Sequence, residues 1–380
     1  MVFSRRNLLK ALGTGIAVGS LPGGLPAIAQ TVQPEQAHPE HETGLVLLNQ
    51  NENAYGPSPK VRARLLEALA GAGRYPASRE ALCARIATMH GVKPGCVLLG
   101  AGSTEIIRVL VAGFVRPGKV VITAEPTFQG IAECALSCGG KVIPVPLNHE
   151  FSHDLKAMLL HVDSSTALVY ICNPNNPTAS ITPRKSIDEF LRSLPARVLV
   201  VVDEAYHDFA PHSSTYASCL DQPVTDERLV VLRTFSMGYA LAGLRVGYAV
   251  TSPDLASRMR PQLTERGISE VGLQGALASL DDEEGLRLSV KRNADDRQEF
   301  FNQAMLRMLK PIDSKTNFVM MDVHHQATEV IEHFRKHNVL IGPFFPSMKT
   351  HIRVSLGSPK DMAEFWRVWD LLPYSHGMRM

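Results

Sequence analysis

Asp203 closes the apolar run V-V-V-D at 200–203, and Tyr206 follows three residues later. A carboxylate at the end of a buried strand is costly unless it is paired, which favours a functional role over a structural one. The segment G-A-G-S-T-E at 100–105 joins an apolar run to a helical one. Such a turn can present backbone N–H groups and a helix N-terminus to a phosphate, with Ser103 and Thr104 at its tip. N-P-N-N-P-T-A at 173–179 has the prolines and paired asparagines of a tight turn, and carries Asn176. The run R-T-F-S-M-G-Y-A-L-A-G-L-R-V-G-Y at 233–248 offers the hydroxyls of Thr234 and Ser236 and the guanidinium of Arg245. Arginine suits bidentate phosphate binding. In the middle of that run stands Met237, a thioether with no amine to condense and no proton to shuttle. Positions 234–248 contain no lysine or histidine. Taken singly these signals are weak. A Gly-Ser turn is common in α/β proteins, Phe128 in P-T-F reads alone as a core residue, and Arg245 could be a surface ion pair.

The elements that must position these residues are short apolar runs at 97–100, 120–123, 142–145, 167–172, 198–203, 229–233 and 247–250. Between several of them lie amphipathic stretches such as 104–114 and 184–194, the second following Thr182-Pro183 as cap and first-turn proline. Near-continuous apolar strands separated by helices predict an α/β fold with a mostly parallel sheet buried on both faces. After about residue 255 the texture changes. A long charged helical stretch near 281–309 precedes strands at 317–323, 339–341 and 352–356 and a terminal helix, which predicts a smaller α+β domain.

The chain of 380 residues is too long for one small core. Its net charge of +2 gives no reason to propose nucleic acid or an anionic membrane as partner. Even that excess lies in the N-terminus, where Arg5, Arg6 and Lys10 precede a Gly- and Ala-rich apolar stretch and an A-I-A site at 27–29. This is a signal-peptide layout, and the paired arginines resemble a twin-arginine (Tat) signal, which implies a periplasmic or secreted protein. The apolar stretch is too short and too interrupted to be a stable membrane span. Residues 30–43 read as a polar linker in which His38 and His41 lack further metal ligands at suitable spacing. Six cysteines at 83, 96, 134, 138, 172 and 219 form no C-x-x-C pair and read as buried thiols.

In order along the chain, these motifs resemble those of fold-type I pyridoxal-phosphate (PLP) enzymes, the class I/II aminotransferases, and in particular histidinol-phosphate aminotransferases. The resemblance covers roughly residues 46–360. It implies a large domain with a mostly parallel seven-stranded sheet over 76–255 and a small domain over 256–380. Residues 44–75 would join the small domain, after a signal at 1–29. By the same resemblance Ser103, Thr104, Thr234, Ser236 and Arg245 would hold the cofactor phosphate, and Phe128 would stack on its ring. Asn176 and Tyr206 would contact its phenolic oxygen and Asp203 its ring nitrogen. Arg353 in I-R-V-S-L-G would clamp a substrate carboxylate, with Tyr55 and Asn317 nearby. Tyr75 in R-Y-P would reach the partner's phosphate, implying a homodimer with shared sites. The substrate class implied is an amino acid or keto acid.

Met237 stands where that family carries the lysine that binds the cofactor covalently. Four readings are compatible with it: an aminotransferase whose lysine function is supplied otherwise, an enzyme holding PLP or pyridoxamine phosphate non-covalently, a non-catalytic ligand-binding descendant, or a substitution at one codon.

Overall fold

A computed structural model of the chain describes residues 44–373, apart from 78, 212 and 223. The signal, the linker and its histidines lie outside the described residues. All seven predicted apolar runs become strands of one sheet, in the order Val97–Ala101, Val246–Thr251, Leu229–Thr234, Leu199–Asp203, Thr166–Cys172, Val120–Glu125, Lys141–Pro146. Only Val246–Thr251 runs antiparallel to its neighbours. The sheet is therefore mostly parallel, and alternate residues of each strand enter different cores. Val120, Ile122, Val200 and Val202 pack with Leu82, Ile86, Ile187, Phe190 and Leu273 from helices on one face. Val121, Val201, Val230 and Leu232 pack with Ile106, Leu110, Ile131 and Met259 from helices on the other.

A third core lies around the antiparallel strands Phe318–Asp322 and His351–Ser355. There Phe300 from the helix Glu283–Leu306 meets Phe334, Phe365 and Trp366. Strand Val46–Leu48 pairs in parallel with Val339–Ile341. Serine–proline pairs start three helices. Ser58, Ser252 and Ser358 each accept a backbone N–H of the first turn, and Ser358 closes a capping box with Asp361.

The expected cap at Thr182 is not formed. The helix Arg184–Ser193 starts after Pro183 with no side-chain cap. Asn173 Oδ1 holds the Thr182 amide at 2.9 Å, and the Thr182 hydroxyl is used by the buried His153 instead. The six cysteines are free thiols, four of them buried. No helix among the described residues is long and apolar enough to cross a membrane.

Candidate active site

Open α/β sheets place ligands at the carboxyl ends of their parallel strands, because every strand-to-helix turn opens on that edge. Asp203 and Thr234 end their strands, and Phe128 and Asn176 follow theirs. Arg245 immediately precedes the one antiparallel strand, so it meets the same edge. One pocket there is lined by Ser103, Thr104, Phe128, Asn176, Asp203, Tyr206, Thr234, Ser236, Met237 and Arg245. Cys172 and Ala205 complete the lining. Neither was singled out in the sequence. Cys172 was signalled only by ending the apolar run 167–172, which the sheet then sets in register with Asp203.

The anion-binding end is built from backbone and hydroxyls. Gly102, at φ 76°, caps the helix Ser103–Phe114. A Cβ on Gly102 would lie 2.2 Å from Arg245 Nη2, so no other residue leaves the guanidinium its place. Gly247 is equally restricted, since a Cβ there would meet the Ser103 amide nitrogen at 2.2 Å. Arg245 itself is left-handed at φ 52° and donates from Nη1 to Ala242 O at 3.0 Å. Thr234 Oγ1 donates to Ser236 Oγ at 3.0 Å. The first amides of a helix lack intrahelical partners, so this corner concentrates donors and positive potential.

Asp203 is 4% exposed. Its carboxylate accepts from the Tyr170 hydroxyl at 2.8 Å and the Ala205 amide at 3.0 Å. Burial pushes its pKa up to about 6 despite those two bonds, and Glu204 adds to the rise. No ion pair to Asp203 occurs among the described residues. Tyr206 OH accepts from Asn51 Nδ2 at 3.0 Å and from Asn176 Nδ2 at 3.4 Å. Burial raises the Tyr206 phenol above its ordinary value, so it keeps its proton at neutral pH.

Arg353 meets this pocket through Asn176. Its Nη1 donates to Asn176 Oδ1 at 2.7 Å and its Nη2 to Asn49 O at 2.6 Å. Its Nε is buried with no partner among the described residues. Burial lowers its pKa from the ordinary value. Asn317 holds the 49–53 segment, donating to Asn51 O at 2.7 Å, and does not line the pocket. Tyr55 and Tyr75 lie apart from it. The Tyr55 hydroxyl donates to Asp296 at 2.9 Å and its ring lies under Arg292. Tyr75 is 73% exposed with Arg266 over its ring.

The family profile described as aminotransferase class I and II matches residues 43–368. This chain belongs to that family. Histidinol-phosphate aminotransferase 2 of Carboxydothermus hydrogenoformans is 36% identical over 333 residues, 86% of this chain and 91% of the relative. The Bacillus subtilis histidinol-phosphate aminotransferase is 32% identical over 84% of this chain and 89% of its own length. Among solved structures, a putative histidinol-phosphate aminotransferase from Erwinia carotovora atroseptica superposes with TM-score 0.81 at 30% identity, covering 88% of this chain and 97% of that one. The histidinol-phosphate aminotransferase of Sinorhizobium meliloti, in complex with pyridoxal-5'-phosphate, gives 0.80 at 27% identity, covering 87% and 90%.

Class I and II aminotransferases use PLP, and the aminotransferase pocket of this chain can be tested against that group. A phosphate finds the free helix amides, the Ser103 and Thr104 hydroxyls and Arg245. A protonated ring nitrogen supplies the charge that buried Asp203 lacks. An aromatic ring finds Phe128. These residues fit. At position 237 a thioether packs beside Ala179, Tyr206, Phe209 and Phe318, and can make no covalent bond to an aldehyde.

Proposed function

We propose that this chain binds PLP or pyridoxamine phosphate without a covalent bond to the protein, and presents it to an amino acid or keto acid. The observation that carries the reading is the pocket itself. Donors for a phosphate, a ring face and a buried unpaired carboxylate converge on one edge of the sheet, while residue 237 offers no amine. When bound, the cofactor supplies an electron sink for bonds at the substrate's α-carbon. Asp203 would hold the ring nitrogen protonated, Asn176 and Tyr206 would orient the phenolic oxygen, and Ser103, Thr104, Ser236 and Arg245 would anchor the phosphate. The unpartnered Nε of Arg353 would take a substrate carboxylate.

Proton movement is where this chain departs from a lysine-bearing site. The Met237 sulfur carries no transferable proton. The Tyr206 phenol and the Cys172 thiol are held protonated by burial, and Asp203 is committed to the ring nitrogen. Water would be left to carry the proton at the α-carbon, and turnover would be correspondingly slow.

Export and assembly belong to the same reading. The twin arginines and A-I-A site support Tat export with a mature start at Gln30, read by the N-terminal mass of the secreted form. Exposed Leu66, Leu69 and Tyr75 support a homodimer, read by sedimentation. The central test is borohydride treatment of the PLP-loaded protein followed by denaturation. The cofactor should separate completely from the chain. A mass increment that survives denaturation would show that another lysine serves and would sink the proposal.

A further inference from the structure

A second chamber lies behind the segment that carries Met237. It is the larger of the two, about 550 Å³ against about 110 Å³ for the cofactor pocket. That size lies within the range of small-molecule sites. Thr234 lines both chambers. The wall facing the sheet carries Arg233, Tyr239, Tyr248 and Asp208, with His90 bonded through Nε2 to the Tyr248 hydroxyl at 3.0 Å. Leu220 and Leu286 give it an apolar side.

Three polar groups line this space with no hydrogen-bond partner among the described residues. The first is the Arg233 Nη1 edge. Arg233 is 8% exposed, its Nε donates to Glu204 Oε2 at 2.9 Å and its Nη2 to Ser218 Oγ at 2.8 Å. The second is the Asp208 carboxylate, and the third the Tyr239 hydroxyl. Arg233 is shared between two carboxylates: it pairs with Glu204, and its charge also favours the Asp208 carboxylate, which Glu204 opposes. Two carboxylates thus face one guanidinium, which leaves an excess negative charge at Asp208 and a guanidinium edge that can still donate. Asp208 and Tyr239 are half-buried, and all three groups face the open space of the chamber, where a ligand can meet them without rearranging the wall. A molecule bearing both charges, with a side chain to lie against the tyrosine rings and leucines, satisfies both at once.

We propose that this chamber is a binding site for a free α-amino acid, its ammonium on Asp208 and its carboxylate on Arg233 Nη1 and the Tyr239 hydroxyl. The occupant would press on the cofactor segment from behind. Asp208 Oδ2 lies 2.6 Å from where a Cβ on Gly238, the residue after Met237, would stand. The inference rests on this chamber alone, and PLP binding is a separate measurement.

The test is calorimetric titration of the full chain with L-histidine, L-leucine and L-glutamate. Histamine, which lacks the carboxylate, and the 2-hydroxy acid analogue of leucine, which lacks the ammonium, serve as probes of each charge. Saturable binding of at least one amino acid is expected. It should persist in Arg353→Leu, which disables the substrate end of the cofactor pocket. It should weaken by about tenfold or more in Asp208→Asn and for each single-charge analogue, as expected for loss of a charged hydrogen bond. If Asp208→Asn fails to fold, Tyr239→Phe decides, with an expected loss of about threefold or more. Affinity unchanged in the variant that folds would overturn the proposal. So would binding lost only in Arg353→Leu, or no saturable heat at all, which would mean a chamber filled by water.

Discussion

Replacing Asp203 with asparagine should make the cofactor-free protein more stable and the cofactor weaker. Burial moves the Asp203 pKa from its ordinary 3.8 to about 6. At about 1.4 kcal/mol for each tenfold change in acidity, the charged form costs about 3 kcal/mol at neutral pH. The sign follows from linkage. The folded state binds the proton more tightly than the unfolded chain, so between about pH 4 and 6 stability falls as pH rises, and above 6 the full penalty is present. Asparagine removes the charge yet can still donate to the Tyr170 oxygen and accept from the Ala205 amide. Asp203→Asn should therefore raise the midpoint of thermal unfolding at pH 7 by about 5 °C, and by nothing near pH 3.5. Comparing the two proteins across pH isolates this residue from Asp208, which burial also pushes up to about 6. PLP affinity should fall about 10- to 100-fold, the worth of a charge-assisted bond to the ring nitrogen. The assay is scanning fluorimetry at several pH values beside equilibrium dialysis of PLP. A variant no more stable than the parent at pH 7, or one whose gain is equal at pH 3.5, refutes the electrostatic account. Unchanged PLP affinity refutes the assignment of Asp203 to the ring nitrogen.

Met237→Lys should let the protein bond PLP covalently, read as a mass increment that survives borohydride reduction and denaturation. Tight PLP binding without that increment would mean that residue 237 does not face the aldehyde. Tyr206→Phe leaves the amides of buried Asn51 and half-buried Asn176 short of an acceptor and should cost about 1–3 kcal/mol in urea unfolding of the cofactor-free protein. Ala240 and Ala179 both sit at positive φ, 57° and 61°. Ala240→Gly should gain about 0.5–1 kcal/mol by relieving that conformation, whereas Ala179→Gly should be near neutral because it also removes a fully buried methyl.

Much of the fold was legible because a parallel sheet buried on both faces writes its strands as continuous apolar runs, such as 198–203 and 229–233. The pocket was legible for a related reason. Its residues sit at or just beyond the ends of those runs, so once Asp203 and Thr234 are placed on strands the sheet edge brings them together. What sequence could not give was side-chain direction. Thr182 precedes a proline as a helix cap should, but its amide is held by Asn173 and its hydroxyl by His153. Asn317 follows a strand-like pattern to the substrate end, yet its amide is spent holding residues 51 and 52. The left-handed backbone at Ala240 has no compositional sign, because alanine does not advertise positive φ as glycine does. The amino-acid chamber was hidden as well, since Asp208, Arg233 and Tyr239 converge only after the sheet and the 207–222 loop are folded.

Met237 takes its meaning from what the pocket lining holds. A site that had lost its ligand would be free to fill with apolar side chains, because a buried unpaired carboxylate costs about as much as several core contacts contribute. Asp203 remains unpaired at the sheet edge, Arg353 keeps a buried Nε without a partner, and the Ser103 and Thr104 hydroxyls still line a donor-rich corner. Each of these is a cost in the empty protein and a contact in the loaded one. The stability that this chain forgoes at the sheet edge is the physical argument for a resident cofactor. On the proposed reading, a thioether at 237 would change how a cofactor is held and how a proton reaches the α-carbon, without removing the reason for the rest of the pocket.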